Sequence, residues 1–193
     1  MEWDPIRIRL EVVISTSTKK WIALLRAIGP ATHKKMSMQD LRESCEQAGL
    51  KNTSTYIASG NLLFTSSVSK SALASILQEI LAGYGLDNDV ILRTPANLKT
   101  VVSAAPFPDA AKARPGHLLI VFLNKKPTEL AVSKLAARDG PERLLALNRE
   151  LCVDFKEGVG RSKLTPAVIE RHLGQPGTAR NWNTVNKLIE LSG

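Results

Sequence analysis

The chain has 193 residues, 44% of them hydrophobic and 23% charged, enough for the core of one domain or two small ones. Lys and Arg outnumber Asp and Glu by 26 to 18, a net charge of +8 that permits attraction to anionic partners without demanding it. The basic residues lie dispersed, with doublets at 19–20, 34–35 and 125–126, which argues against a dedicated nucleic-acid arm. The longest apolar run, HLLIVFL, is far too short to cross a membrane, and MEWDPIRIRLEVVIS lacks the pattern of a secretory leader. Cys45 and Cys152 have no metal-ligand spacing. The expectation is a cytoplasmic protein with no membrane association, no metal and no cofactor.

Residues 1–18 sit apart as an N-terminal extension, with RIRLEVVIS readable as a strand. From Trp21 a rhythm begins. WIALLR reads as a buried strand, and SMQDLRESCEQAGL as an amphipathic helix with a Ser37–Asp40 capping box and a stop at Gly49. TSTYIA and NLLFTS read as two strands joined by a tight turn at Ser59-Gly60-Asn61. SKSALASILQEILAGYG supplies a second helix and DVILR a last strand. The order β-α-β-β-α-β over 19–105 is that of a ferredoxin-like subdomain.

A short helix starting at Pro95 then dissolves after Pro106 and Pro108 into a linker over 106–116. The same order restarts over 117–193: strand HLLIVFL, helix PTELAVSKLAAR, a hairpin turning at Asn148-Arg149, and helix SKLTPAVIERHLG ended by Gly174. Where a fourth strand is due stands QPGTARNWNTV, so the second subdomain is expected to have an altered last element and a C-terminal helix. With Thr178 as its cap, that helix gathers Trp182, Val185, Leu188 and Ile189 on an apolar side, and Arg180, Asn183, Thr184 and Lys187 opposite. The fold class is therefore α+β, two ferredoxin-like subdomains in tandem.

Residues fit for chemistry are few. His33, His117 and His172 have no partner at a recognisable spacing, Cys45 lies on the apolar side of its helix, and no nucleophile-elbow, zinc-protease or dinucleotide fingerprint occurs. EGVGRSKLT, residues 157–165, offers two glycines before a helix start with Arg161, Ser162 and Lys163 placed to meet an anion. A plain strand-to-helix turn, capped by Ser162 or Thr165 ahead of Pro166, explains the same residues. Ser59 and Asn61 stand at a loop tip, a second candidate site. Arg180 at a helix start opposes the dipole, a misfit that a carboxylate partner or a bound anion would relieve, with Asn181 and Asn183 beside it.

WIALLRAIG, LRESCEQAGL, TYIASGNLLF, GRSKLT and GTARNWNTVNKL resemble, in order, segments of a bacterial family known only as a domain of unknown function. The resemblance runs from about Trp21 to the C-terminus and implies two ferredoxin-like subdomains. It implies no reaction, cofactor or catalytic residue. The family tends to a Gly-Ile-Asn turn after LLR, where this chain has Ala27-Ile28-Gly29.

Three functions stay open. The leading one is a non-catalytic binding protein for an anionic ligand, nucleic acid or a phosphorylated small molecule, using Arg161, Ser162, Lys163, Arg180, Asn181 and Asn183. An RNA-recognition sheet is disfavoured by a 5% aromatic content. The alternatives are an enzyme of unrecognised type near GRSKL and RNWN, and a structural or regulatory partner protein, monomeric or homodimeric.

Overall fold

The computed structural model describes residues 14–193. Most of the segment read as the strand RIRLEVVIS lies outside the described residues. β1 (Ile14–Leu25) leads, so residues 14–18 continue the first strand, and Ile14 pairs with Val68 across a register irregularity before Lys19. α1 (Pro30–His33) and α2 (Met38–Gln47) follow. The Ser37 hydroxyl accepts from the Asp40 amide at 3.1 Å while the Asp40 carboxylate accepts from the Ser37 amide at 2.8 Å, satisfying two donors that the helix itself leaves free. That contact holds the Asp40 carboxyl below the usual range.

β2 (Lys51–Thr55) and β3 (Asn61–Val68) pair antiparallel, joined by residues 56–60 rather than by a tight turn. The cause is Asn61. Fully buried, its amide donates to the Tyr56 carbonyl and the Ser59 hydroxyl, each at 3.0 Å, and so closes a wider loop. Gly60 has φ +75°, and a Cβ there would stand 2.7 Å from Ile28 Cγ1 and 2.9 Å from Leu25 Cβ, so only glycine fits. α3 (Lys70–Gly83), β4 (Val90–Arg93) and α4 (Pro95–Ser103) complete the first half. Thr94 caps α4 and Pro95 opens it, as the sequence suggests. In the link, Pro108 opens another short helix, α5 (Pro108–Ala113).

The second half repeats the order: β5 (Leu118–Leu123), α6 (Glu129–Ala136), β6 (Arg143–Leu147), β7 (Glu150–Asp154), α7 (Pro166–Leu173), β8 (Gly177–Asn181) and α8 (Trp182–Leu191). The β6–β7 hairpin turns at Asn148-Arg149, with Asn148 at φ +55°. The last strand is present. β8 pairs antiparallel with β5, and the helix after it is capped by Asn181, whose side chain accepts from Thr184 at 2.8 Å, instead of by Thr178. The sheets run β2-β3-β1-β4 and β6-β7-β5-β8, the same order twice.

Register confirms the likeness. Ile22 pairs with Arg93 and Ile120 with Arg180, while the Leu25 amide bonds the Gly60 carbonyl at 2.8 Å and the Leu123 amide bonds the Arg149 carbonyl at 2.9 Å. The unit repeated is longer than the ferredoxin-like core, because α4 follows β4 as α8 follows β8. From Arg93 and from Arg180 alike, a capping residue comes next, Thr94 or Asn181, then a buried pair, Leu98 with Val101 or Val185 with Leu188.

One face of each sheet lies under its own helices. Trp21, Ala23 and Leu25 meet Leu41, Leu73 and Leu77 in the first half, and Val121, Leu151 and Val153 meet Leu135, Ile169 and Leu173 in the second. The other faces turn toward each other. Ile22, Leu24 and Ile91 share a central core with Ile120, Phe122 and Cys152, and α4 and α8 close it with Leu98, Val101, Val185 and Leu188. Each of those four helix side chains contributes about 1.5–3 kcal/mol by leaving water. Successive residues of β4 and of β7 are all buried, the mark of strands covered on both faces.

Candidate functional site

Arg180 occupies an inward position of β8 at 7% exposure, before the helix and not within it. Its guanidinium crosses from the second half into the first. Nε donates to Asn61 Oδ1 at 2.5 Å, and Nη2 to the carbonyls of Leu25, Ser59 and Gly60 at 2.9, 2.9 and 3.2 Å. Nη1 donates to Thr178 Oγ1 at 2.7 Å and to the Ala179 carbonyl at 2.8 Å. All five guanidinium hydrogens therefore have acceptors within the protein, and none is left for an anion. The expectation of Arg180 as a ligand-binding cation at a helix start is corrected: it is a clamp between halves. Burial without a carboxylate partner among the described residues pushes it down to about 10.

Arg93 performs the reciprocal crossing. Fully buried in β4, it donates to the Leu123 carbonyl at 2.6 Å and the Arg149 carbonyl at 3.3 Å, and pairs with Glu150 at 2.6 Å. Glu150 begins β7 as Asn61 begins β3. The two arginines thus do the same job, one against a carboxylate and one against an amide. Burial lowers the Arg93 pKa as well, opposed by Glu150.

The expected site residues divide accordingly. Ser59, Asn61 and Arg180 come together inside the clamp, where Ser59 and Asn61 shape the loop that Arg180 holds. Asn181 is a helix cap, Asn183 is exposed, and Trp182 packs half-buried against the central core. Arg161, Ser162 and Lys163 form a separate group.

That second group lines a cleft of about 360 Å³ between two loops, one over 137–142 and one over 155–165. Arg138, Asp139 and Glu142 come from the first loop; Glu157, Arg161, Ser162 and Lys163 come from the second. Gly158, at φ +93°, lets the second loop enter a single 3-10 turn over Val159–Arg161. Thr165, not Ser162, caps α7, its hydroxyl accepting from the Val168 amide at 3.3 Å. The Ser162 hydroxyl accepts from the Leu164 amide at 2.9 Å and donates to Glu142 Oε1. Among the described residues, Arg138, Arg161 and Lys163 form no ion pair.

Other charged groups are committed to structure. Asp154, fully buried, accepts from Arg114 at 2.6 and 2.9 Å and from Arg143 at 2.9 Å, and both arginines reach Asp109 of α5. Arg143 also stacks on Phe107 at 4.7 Å. Burial raises the Asp154 carboxyl, the two guanidiniums more than offset this, and the carboxyl lies below its ordinary value. Cys45 and Cys152 are fully buried free thiols pushed up to about 12 by burial, so neither is a nucleophile. His33 contacts the Ala58 carbonyl at 2.7 Å, and His172 the Val168 carbonyl one turn back at 2.8 Å. Among the described residues no group of three or more His, Cys, Asp or Glu is placed to hold a metal, and no helix is long and apolar enough to cross a membrane.

Sequence reading missed Arg93, Glu150, Arg138 and Glu142. A signal for Arg93 was there: RTPANLKTVV and RNWNTVNKLI carry arginine, cap and apolar positions at equal spacing. Nothing local announces Glu142, which meets Ser162 from 20 residues away.

Residues 18–151 match the family described as "Protein of unknown function (DUF1697)". The chain belongs to that family. Among solved structures, this DUF1697 protein is similar to a conserved bacterial protein from Streptococcus pneumoniae, with 20% identity and a TM-score of 0.71, covering 92% of this chain and 100% of the other. At that identity the likeness concerns the fold. No curated protein matches the sequence. The family match ends inside β7, so GRSKLT and GTARNWNTVNKL lie beyond it.

Proposed function

We propose that this DUF1697 protein is a non-catalytic binding protein for a small phosphorylated ligand, held in the second-half cleft by Arg138, Arg161 and Lys163. The observation that carries the reading is three cations free of ion pairs around a cavity of about 360 Å³, the size of a small-molecule site. Elsewhere Arg26, Arg93, Arg114 and Arg143 are matched to carboxylates, while Arg42, Arg149 and Arg171 form no ion pair among the described residues. What sets the cleft apart is the gathering of three such cations around one cavity. The cleft also sits on added material. In the first half the equivalent connections are residues 48–50 and residue 69 alone, too short to enclose anything.

A small molecule is favoured over nucleic acid because both faces of the central strands are covered. An RNA-binding sheet needs one of them open. Three carboxylates in the cleft would also repel a continuous phosphate backbone. The enzyme reading gains less, since Ser162 is tied to the Leu164 amide as a turn-forming hydroxyl. Cytoplasmic residence belongs to this proposal and agrees with two unpaired thiols.

Calorimetric titration with phosphate monoesters at low and at physiological salt tests it. Binding that weakens with salt and disappears in Arg161→Ala/Lys163→Ala supports the reading. Absence of binding at low salt overturns it.

A further inference from the structure

The geometry points to a ligand that carries a protonated primary amine beside its phosphate, with Glu142 as the carboxylate that receives the ammonium. This rests on the phosphate reading above and narrows its ligand class.

Glu142 is a placed carboxylate. It is half-buried, while the other two acids of the cleft, Asp139 and Glu157, are exposed. Its Oε1 accepts the Ser162 hydroxyl, which fixes one end of the group. Its Oε2 lies over Gly140, where any Cβ would overlap it, so glycine leaves that oxygen its position. Among the described residues the hydrogen bond to this carboxylate goes to Oε1, from Ser162. Oε2 stays open to solvent, so a ligand donor would take the place of water on a carboxylate already held in position.

Charge balance leads to the same class. Arg138, Arg161 and Lys163 share one cavity with Asp139, Glu142 and Glu157, and among the described residues no ion pair forms between the two sets. A bare phosphate meets as much negative charge there as positive. A phosphomonoester bearing an ammonium satisfies both sets, its phosphate toward the guanidiniums and its amine toward Glu142 Oε2. A hydroxyl in the amine's place can still donate to the carboxylate, but it lacks the ionic attraction that the ammonium adds to the hydrogen bond.

The test uses the full chain and three probes: phosphoethanolamine, 2-hydroxyethyl phosphate and inorganic phosphate, titrated calorimetrically at pH 7. Phosphoethanolamine is expected to bind about tenfold tighter than the hydroxyl analogue. Glu142→Gln removes that preference while hydroxyethyl phosphate binds as well or better, since a like charge has gone. Gly140→Ala, which displaces the carboxylate without removing it, narrows the ratio too. Unchanged thermal midpoints in both variants establish that the fold is intact. Equal binding of the two organic phosphates overturns the amine assignment and leaves the phosphate reading standing. No binding of any probe overturns both.

Discussion

The two halves of the chain use one scaffold to opposite ends of investment. In the first half the connections around α2 and α3 are minimal and the sheet is bounded by a polar edge strand, β2, with sequence KNTST. In the second the matching connections lengthen to residues 137–142 and 155–165 and enclose the cleft. At the seam the roles nearly coincide, since each half sends an arginine from its last strand to the turn of the other. The difference lies in the acceptor: Glu150 for Arg93, Asn61 for Arg180. A duplicated scaffold keeps what joins the copies and varies what lies far from the join.

The strongest way to break this comparison is to remove the carboxylate that only one of the two arginine clamps uses. Glu150→Ala leaves Arg93 buried and unpaired, and is expected to cost about 3–5 kcal/mol in urea unfolding. Glu150→Gln supplies a neutral acceptor like the one Arg180 already uses, so a loss of only about 1–2 kcal/mol is expected. If the two variants unfold at the same urea concentration, the charge of Glu150 is irrelevant and the clamps are not equivalent.

Next comes Gly60 against Arg149, which occupy one register position in the two turns. Gly60→Ala forces a side chain into a positive-φ site against Ile28 and Leu25, for about 2–4 kcal/mol. Arg149 serves the seam through its carbonyl, so Arg149→Ala is expected to change stability by no more than about 0.5 kcal/mol. Comparable losses in the two denaturation curves would deny the correspondence.

Asn61→Asp sharpens it further. The new carboxylate gives Arg180 a countercharge, yet a buried ion pair roughly breaks even against its desolvation. Meanwhile the amide's donations to Tyr56 and Ser59 are lost, and an oxygen faces the Tyr56 carbonyl. A net loss of about 1–2 kcal/mol is expected from these broken hydrogen bonds. A stabilised variant would mean that the first half simply lacks a carboxylate, not that its loop requires an amide.

These residues also show what sequence could reveal. Ser37 with Asp40, Pro95 at a first turn and Asn148-Arg149 at a hairpin are local signals, and the chain folds there as they suggest. β8 was hidden because its inward positions, Thr178 and Arg180, are polar, so its buried alternation carries no hydrophobic period. The same residue explains the dipole misfit: Arg180 belongs to the strand and spends its donors on the other half. Ser59-Gly60-Asn61 looked like a tight turn because the work of Asn61, closing a loop with its side chain, leaves no mark in spacing. The cleft was half visible. GRSKL is legible in the sequence, but its partners Arg138 and Glu142 arrive through tertiary folding.

The smallest expected effect concerns acid. In the second half Arg143, helped by Arg114, holds the Asp109 carboxyl down to about 2, and Asp154 is also depressed. A carboxyl depressed in the folded state contributes stability above its unfolded value near 4, and loses it as pH falls through the folded one. The loss therefore falls between about pH 4 and pH 2. Asp40 is depressed in the first half too, but only through its own helix cap, whereas Asp109 and Asp154 bind α5 to β6 and β7 through Arg114 and Arg143. Hydrogen exchange at pH 3 against pH 7 should therefore show protection lost first across 108–113 and 143–154. Asp109→Asn should flatten the acid limb slightly, since Asp109 is exposed and its pairs are screened by solvent. Earlier opening in α2 would place the acid-sensitive join in the first half, and the asymmetry between the halves would then not extend to their charge networks.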